Sequence, residues 1–149
     1  MDCRIPSIPG LLSILERTGQ SQHAFAEFRS RAQTGVSTLP PQIESNVVFE
    51  PATASDCLTV SAFGVTVSFV YRPGYDKEGT ILRGTVRVFR VGSTPFDNPD
   101  CIGEFSFNPR SGLTDLPAQY GDTIGLVDHA HLIVLGFLDA AIPRASAAT

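Results

Sequence analysis

The chain has 149 residues and a net charge of −4, with 42% apolar and 17% charged residues. That length buries a real core within one domain, and the composition excludes a disordered chain. The acidic balance argues against non-specific nucleic-acid binding, which normally needs a basic protein, so nucleic acid is an unlikely partner.

Three cysteines, Cys3, Cys57 and Cys101, make an odd number with no metal-ligand spacing. The first residues carry Asp2, Arg4, Pro6 and Pro9 and no apolar run of signal-peptide length. Both features fit a cytoplasmic protein with free thiols. Cys57 and Cys101 each start a strand, and a core thiol is the better reading than a disulfide between them. The longest apolar stretch, Ala130 to Ile142, has 13 residues and is interrupted by His131 and Asp139. A membrane span needs roughly 20, so no membrane is expected.

Residues 1–10, with Pro6, Pro9 and Gly10, read as irregular. Leu11 to Arg17 predicts a short helix that Thr18-Gly19 breaks. Ser21 is a cap for a second helix, about Gln22 to Gln33, with Phe25, Phe28 and Ala32 on one face and His23, Glu27 and Arg31 on the other. Gly35 ends it. A linker with Pro40-Pro41 follows, then a short edge strand over Val47 to Glu50 stopped by Pro51.

A hairpin comes next. Leu58, Val60 and Ala62 alternate with Thr59 and Ser61, Phe63-Gly64 turns, and Val65, Val67, Phe69 and Tyr71 alternate with Thr66 and Ser68. After the polar loop from Arg72 to Gly79, the longest strand runs from Thr80 to Val91. It has Leu82, Val86 and Val88 on one face and Arg83, Thr85, Arg87 and Phe89 on the other. Gly84 marks a bulge or a close backbone approach. Beyond a loop over 92–100, Cys101 to Phe107 is the last strand, with Cys101, Gly103, Phe105 and Phe107 on one side. A long loop with Leu113, and a turn at Gly121-Asp122, lead to a helix from Val127 to Ile142.

Segregated helices and half-polar strands predict an α+β fold: N-terminal helices, a four- to five-stranded antiparallel meander, and a C-terminal helix packed on the sheet. The expected organisation is a single domain over 1–149, with 1–10 and 143–149 frayed.

The last helix is apolar over most of its circumference, with a polar stripe of Asp128, His131 and Asp139. It is expected to be buried between the sheet and the N-terminal helices, or in part against a second copy, giving a homodimer through Val127–Ile142. Asp128 with His131, and His23 with Glu27, have spacings that suit two ligands each of a metal site. The outward position of His23 and Glu27 argues against convergence, so no metal or cofactor is assigned. No G-x-S-x-G elbow or phosphate-cradling glycine loop is present, and no catalytic residue is assigned.

Charge is unevenly spread along the chain. Residues 72–90 hold four Arg and Lys77 against Asp76 and Glu78. Residues 94–128 hold six acids against Arg110. A solvated sheet face with cross-strand pairs such as Arg87 to Glu104 explains the arginines without function. The functional reading is a recognition face formed by Tyr71, Arg72, Tyr75, Arg83, Arg87, Phe89 and Glu104, with arginine and aromatic anchors for another protein. The expected function is then a small interaction module: an inhibitor, an immunity-type protein or an accessory protein. The alternative is a small-molecule binder or enzyme with a pocket between sheet and helices, using Asp128 and His131 with Tyr71, Arg83, Arg87 and Glu104.

Overall fold

The computed structural model describes residues 7–51, 54–76, 78–79, 81–92, 99–117 and 123–143. Three helices, α1 (Ile8–Ser37), α2 (Pro41–Glu44) and α3 (Ala130–Ala141), accompany five strands: β1 (Val48–Phe49), β2 (Cys57–Ala62), β3 (Val65–Tyr75), β4 (Leu82–Arg90) and β5 (Asp100–Phe107). The strands form one antiparallel sheet in the order β1-β2-β3-β4-β5. The α+β meander with a C-terminal helix on the sheet is therefore the architecture.

The N-terminal region departs from the expectation of two short helices. One helix runs unbroken from Ile8 through Gly19 and Gly35 to Ser37. Ser7 caps it, its Oγ accepting from Gly10 N at 3.2 Å, and a proline stands in its first turn. Residues 8–10 are thus helical rather than irregular. Gly19 continues the helix because a glycine inside one costs only about 1 kcal/mol, too little by itself to end it. Gly35 is required by packing: a Cβ there would lie 2.5 Å from the His131 ring, so this is where α1 and α3 approach most tightly.

Register explains how one face of the sheet becomes the core. Leu58 faces Phe69, Val60 faces Val67, Phe69 faces Val88, Tyr71 faces Val86 and Val86 faces Phe105. All are buried, and α1 and α3 both cover this face. Phe25 of α1 stacks on Tyr71, with centroids 5.4 Å apart, and Phe28 meets Phe69 edge-on at 5.8 Å. Phe137 of α3 meets Phe69 at 5.7 Å and Phe105 at 5.8 Å. These rings pack between the sheet and the two long helices.

β5 corrects a strand reading. The β4–β5 register shifts between Val88, opposite Gly103, and Phe89, opposite Cys101, which leaves Ile102 as an extra bulged residue. The bulge turns Cys101 onto the face of Phe89, away from Gly103, Phe105 and Phe107. Cys57 and Cys101 are free, the first half-buried and the second exposed, on β2 and β5 with two strands between them. Neither is a core thiol, and no disulfide joins them.

α3 begins at Ala130, later than the apolar run suggests, because Leu126–His129 form a turn in which Gly125 N donates to His129 Nδ1 at 3.0 Å. Asp128 therefore precedes the helix and shares no helical stripe with His131. Ala130, Ile133, Val134, Leu138 and Ala141 are buried, and Leu132 is the one large apolar residue that α3 leaves exposed. No helix among the described residues is long and apolar enough to cross a membrane. Lys77, Phe96, Asp97 and the Gly121-Asp122 turn lie outside the described residues.

Candidate interaction surface

Both long helices cover the same face, and no described helix or strand lies on the opposite face of the sheet. The register arranges it in rows: Cys57, Val70, Arg87 and Glu104 form one, and Thr59, Ser68, Phe89 and Cys101 the next. A third row holds Arg72, Thr85 and Ser106. At the hairpin end a fourth runs through Val48, Ser61 and Thr66, with Val91 N bonded to Thr66 O at 2.9 Å.

The hydroxyls of this face are largely paired with one another. Ser61 Oγ and Thr66 Oγ1 are 2.8 Å apart, Thr59 Oγ1 and Ser68 Oγ 3.2 Å, and Ser68 Oγ lies 3.1 Å from Cys57 Sγ. Covering polar groups that already have partners costs less than covering open ones. The face is polar in composition, yet a partner can desolvate it cheaply.

Five of the seven residues expected to form a recognition face share it: Arg72, Arg83, Arg87, Phe89 and Glu104. Tyr71 does not. Alternation puts it in the core, where its hydroxyl is hydrogen-bonded to Ser21 of α1. Burial raises its phenol above the ordinary value of 10.0, and the Ser21 hydroxyl works against that rise. Tyr75 lies on the same side as Tyr71, at the exposed end of β3.

Charge on the open face is less one-sided than the linear sequence suggests. Arg87 Nε donates to Glu104 Oε2 at 3.1 Å and Arg72 pairs with Asp56, while on the helix-covered side Arg90 binds Asp100 at 2.7 Å. Folding interleaves charges that the chain separates. Arg83 differs: it is half-buried opposite Gly74, and its buried Nε has no hydrogen-bond partner among the described residues. Such a donor is costly to leave unsatisfied.

Three residues absent from the sequence-based set belong to this surface. Val48 and Val91 are exposed at its hairpin end, and Phe63 stands at the β2–β3 turn, about half exposed. Phe63 has φ of 56° and Gly64 of 78°, the paired left-handed conformation of a tight hairpin that asparagine and glycine fill most easily. A phenylalanine in that position is the signal the sequence offered, and strained exposed residues concentrate at functional sites.

The metal reading fares differently. His23 Nε2 and Glu27 Oε1 lie 2.9 Å apart and line a groove of about 770 Å³ between α1 and the turns at 109–113 and 125–128, so they do share a concavity with Asp128. His131 is elsewhere, packed against Gly35. Among the described residues no three His, Cys, Asp or Glu side chains converge as a metal site.

This is a two-layer α+β protein with one sheet face left open by its described elements. Comparison with family models, curated proteins and solved structures finds no match to the chain.

Proposed function

We propose that this protein is a protein-interaction module, acting as an inhibitor, immunity-type or accessory protein, whose open sheet face docks another protein. One observation carries the reading: α1 and α3 cover one face, leaving a surface about 20 Å across. There exposed Val48 and Val91 stand at the hairpin end, half-buried Phe89 lies in the next row, and Arg87 and Arg83 follow along β4. Exposed apolar side chains and arginines on one surface are parts from which interaction hot spots are built. The partner this suits is a protein with an apolar patch bordered by acidic side chains. A cytoplasmic setting, where Cys57 and Cys101 stay reduced, belongs to the same proposal.

The test is affinity capture from the native host with the intact protein as bait, in parallel with two variants, Arg83→Glu with Arg87→Glu, and Val48→Asp with Val91→Asp. A prey lost from both variants, while each keeps its folded circular dichroism spectrum, is the expected result. A prey retained by both moves the interface off this face.

A further inference from the structure

Among the described residues, the first two turns of α1 are little covered. No residue from Ile8 to Gln20 is buried, and Glu16, Arg17 and Gln20 border the turn at Pro109 and Arg110, so the open part is Ile8–Leu15, about 12 Å of helix. Ile8, Leu11, Leu12 and Leu15 within it are 74%, 50%, 61% and 69% exposed. Their i, i+3, i+4, i+7 spacing makes one stripe. At 100° per residue that stripe is turned roughly 110° from the one formed by Phe25, Phe28, Ala32 and Val36, which faces the sheet. It is therefore a second apolar face, distinct from the core face.

Propensity gives this segment little help, since Gly10, Ser13, Thr18 and Gly19 are weak helix formers. Its side chains present on the order of 500 Å² of contiguous apolar surface, near the upper end of what a monomer leaves bare. Pairing two such stripes buries on the order of 1,000 Å² in total, about what a specific interface needs to clear.

The stripe is complementary to itself. An antiparallel pair with its two-fold axis between Leu11 and Leu12 sets Leu11 against Leu12 of a second copy, and Ile8 against Leu15. The same axis sets Ser7, the helix cap, opposite Glu16. The first turn of α1 has no acidic residue of its own, so Glu16 of one copy supplies the negative charge that the N-terminus of the other lacks. Charge also speaks against a membrane as the occupant: Glu16 and Arg17 cancel, and an interfacial helix for anionic lipid is rich in Lys and Arg. We infer that this protein forms an isologous homodimer by antiparallel pairing of the Ile8–Leu15 stripes of two α1 helices. This moves the self-association expected for α3 to α1, since Ala130, Ile133, Val134, Leu138 and Ala141 of α3 are taken up by the core. The open sheet faces of both copies stay uncovered.

Sedimentation equilibrium on the whole chain from 1 to 200 µM tests it. The expected result is a reversible dimer that Leu11→Glu with Leu15→Glu converts to monomer across the range, while Leu132→Glu on α3 leaves it dimeric. Glu16→Gln should weaken the dimer about two- to five-fold. Leu11 and Leu15 lie outside the core, so the doubly substituted chain should melt like a folded monomer. As a second measurement, a spin label on Gln22→Cys, with the native cysteines changed to serine, should give an interspin distance of about 30 Å for the antiparallel pair. A wild-type monomer at 200 µM, a dimer that survives the double substitution, or an interspin distance below 20 Å overturns the inference. Binding of a monomeric wild type to phosphatidylcholine vesicles would overturn it in favour of a lipid surface.

Discussion

The ring of Phe107 on β5 occupies the space where Gly84 on β4 lacks a side chain. The two residues face each other in register, and a Cβ on Gly84 would lie 2.1 Å from Phe107 Cζ. Phe107 in turn touches the Tyr71 ring at 6.2 Å. Gly84→Ala must therefore displace a fully buried ring in a well-packed core. The expected loss is about 3 kcal/mol, the upper range for overpacking, read as a lower urea midpoint at unchanged slope. An unchanged midpoint would mean that β5 does not pack over Gly84.

Tyr71 and Ser21 connect the sheet to α1 by a buried hydroxyl pair. Tyr71→Phe removes one hydrogen bond, while Ser21 Oγ keeps Thr18 O at 3.0 Å, so the expected cost is about 1 kcal/mol. The raised phenol adds a pH dependence. Below pH 10 the folded and unfolded chains both keep the proton, and the contribution of the pair is complete. As pH rises past 10.0 the unfolded chain loses the proton first, so stability falls until the folded phenol also ionises. Denaturation midpoints between pH 9 and 11 should fall less steeply for Tyr71→Phe than for wild type. Parallel curves would place Tyr71 in water.

Gly19 sits inside α1 with nothing within 4 Å of the position a Cβ would take, and its φ is not positive. Gly19→Ala should raise stability by about 0.5–1 kcal/mol, by narrowing the unfolded ensemble and favouring helix. A destabilised variant would point to a helix that breaks at Thr18-Gly19.

Cys101 is exposed, whereas Cys57 is half-buried with Ser68 Oγ 3.1 Å from its sulfur. Cys101 should react with a disulfide reagent in the folded state well ahead of Cys57. Mild oxidation followed by peptide mapping should yield no Cys57–Cys101 link, since a disulfide needs Cα atoms within about 7 Å and two strands intervene.

The local pattern of the sequence was enough for the α+β class, the meander and the inward set of the strands. Alternation at Leu58, Val60, Val67, Phe69, Val86 and Val88 has period two, which marks one covered face whatever covers it. It also separated Arg83 and Arg87 from the core. What it left open were matters of tertiary contact. Gly19 read as a helix break because a local signal marks a glycine without deciding whether its cost of about 1 kcal/mol ends the helix. Cys101 read as inward because alternation holds only without a bulge, and the Ile102 bulge exists in the pairing of β5 with β4. Tyr71 read as an anchor because an amphipathic ring suits a surface or a core equally, and Ser21 of a distant helix decides between them. That α1 and α3 take the same sheet face, leaving neither on the arginine face, follows from how Phe25, Phe28 and Phe137 fit around Phe69 and Tyr71. Such a fit depends on side chains far apart in the chain.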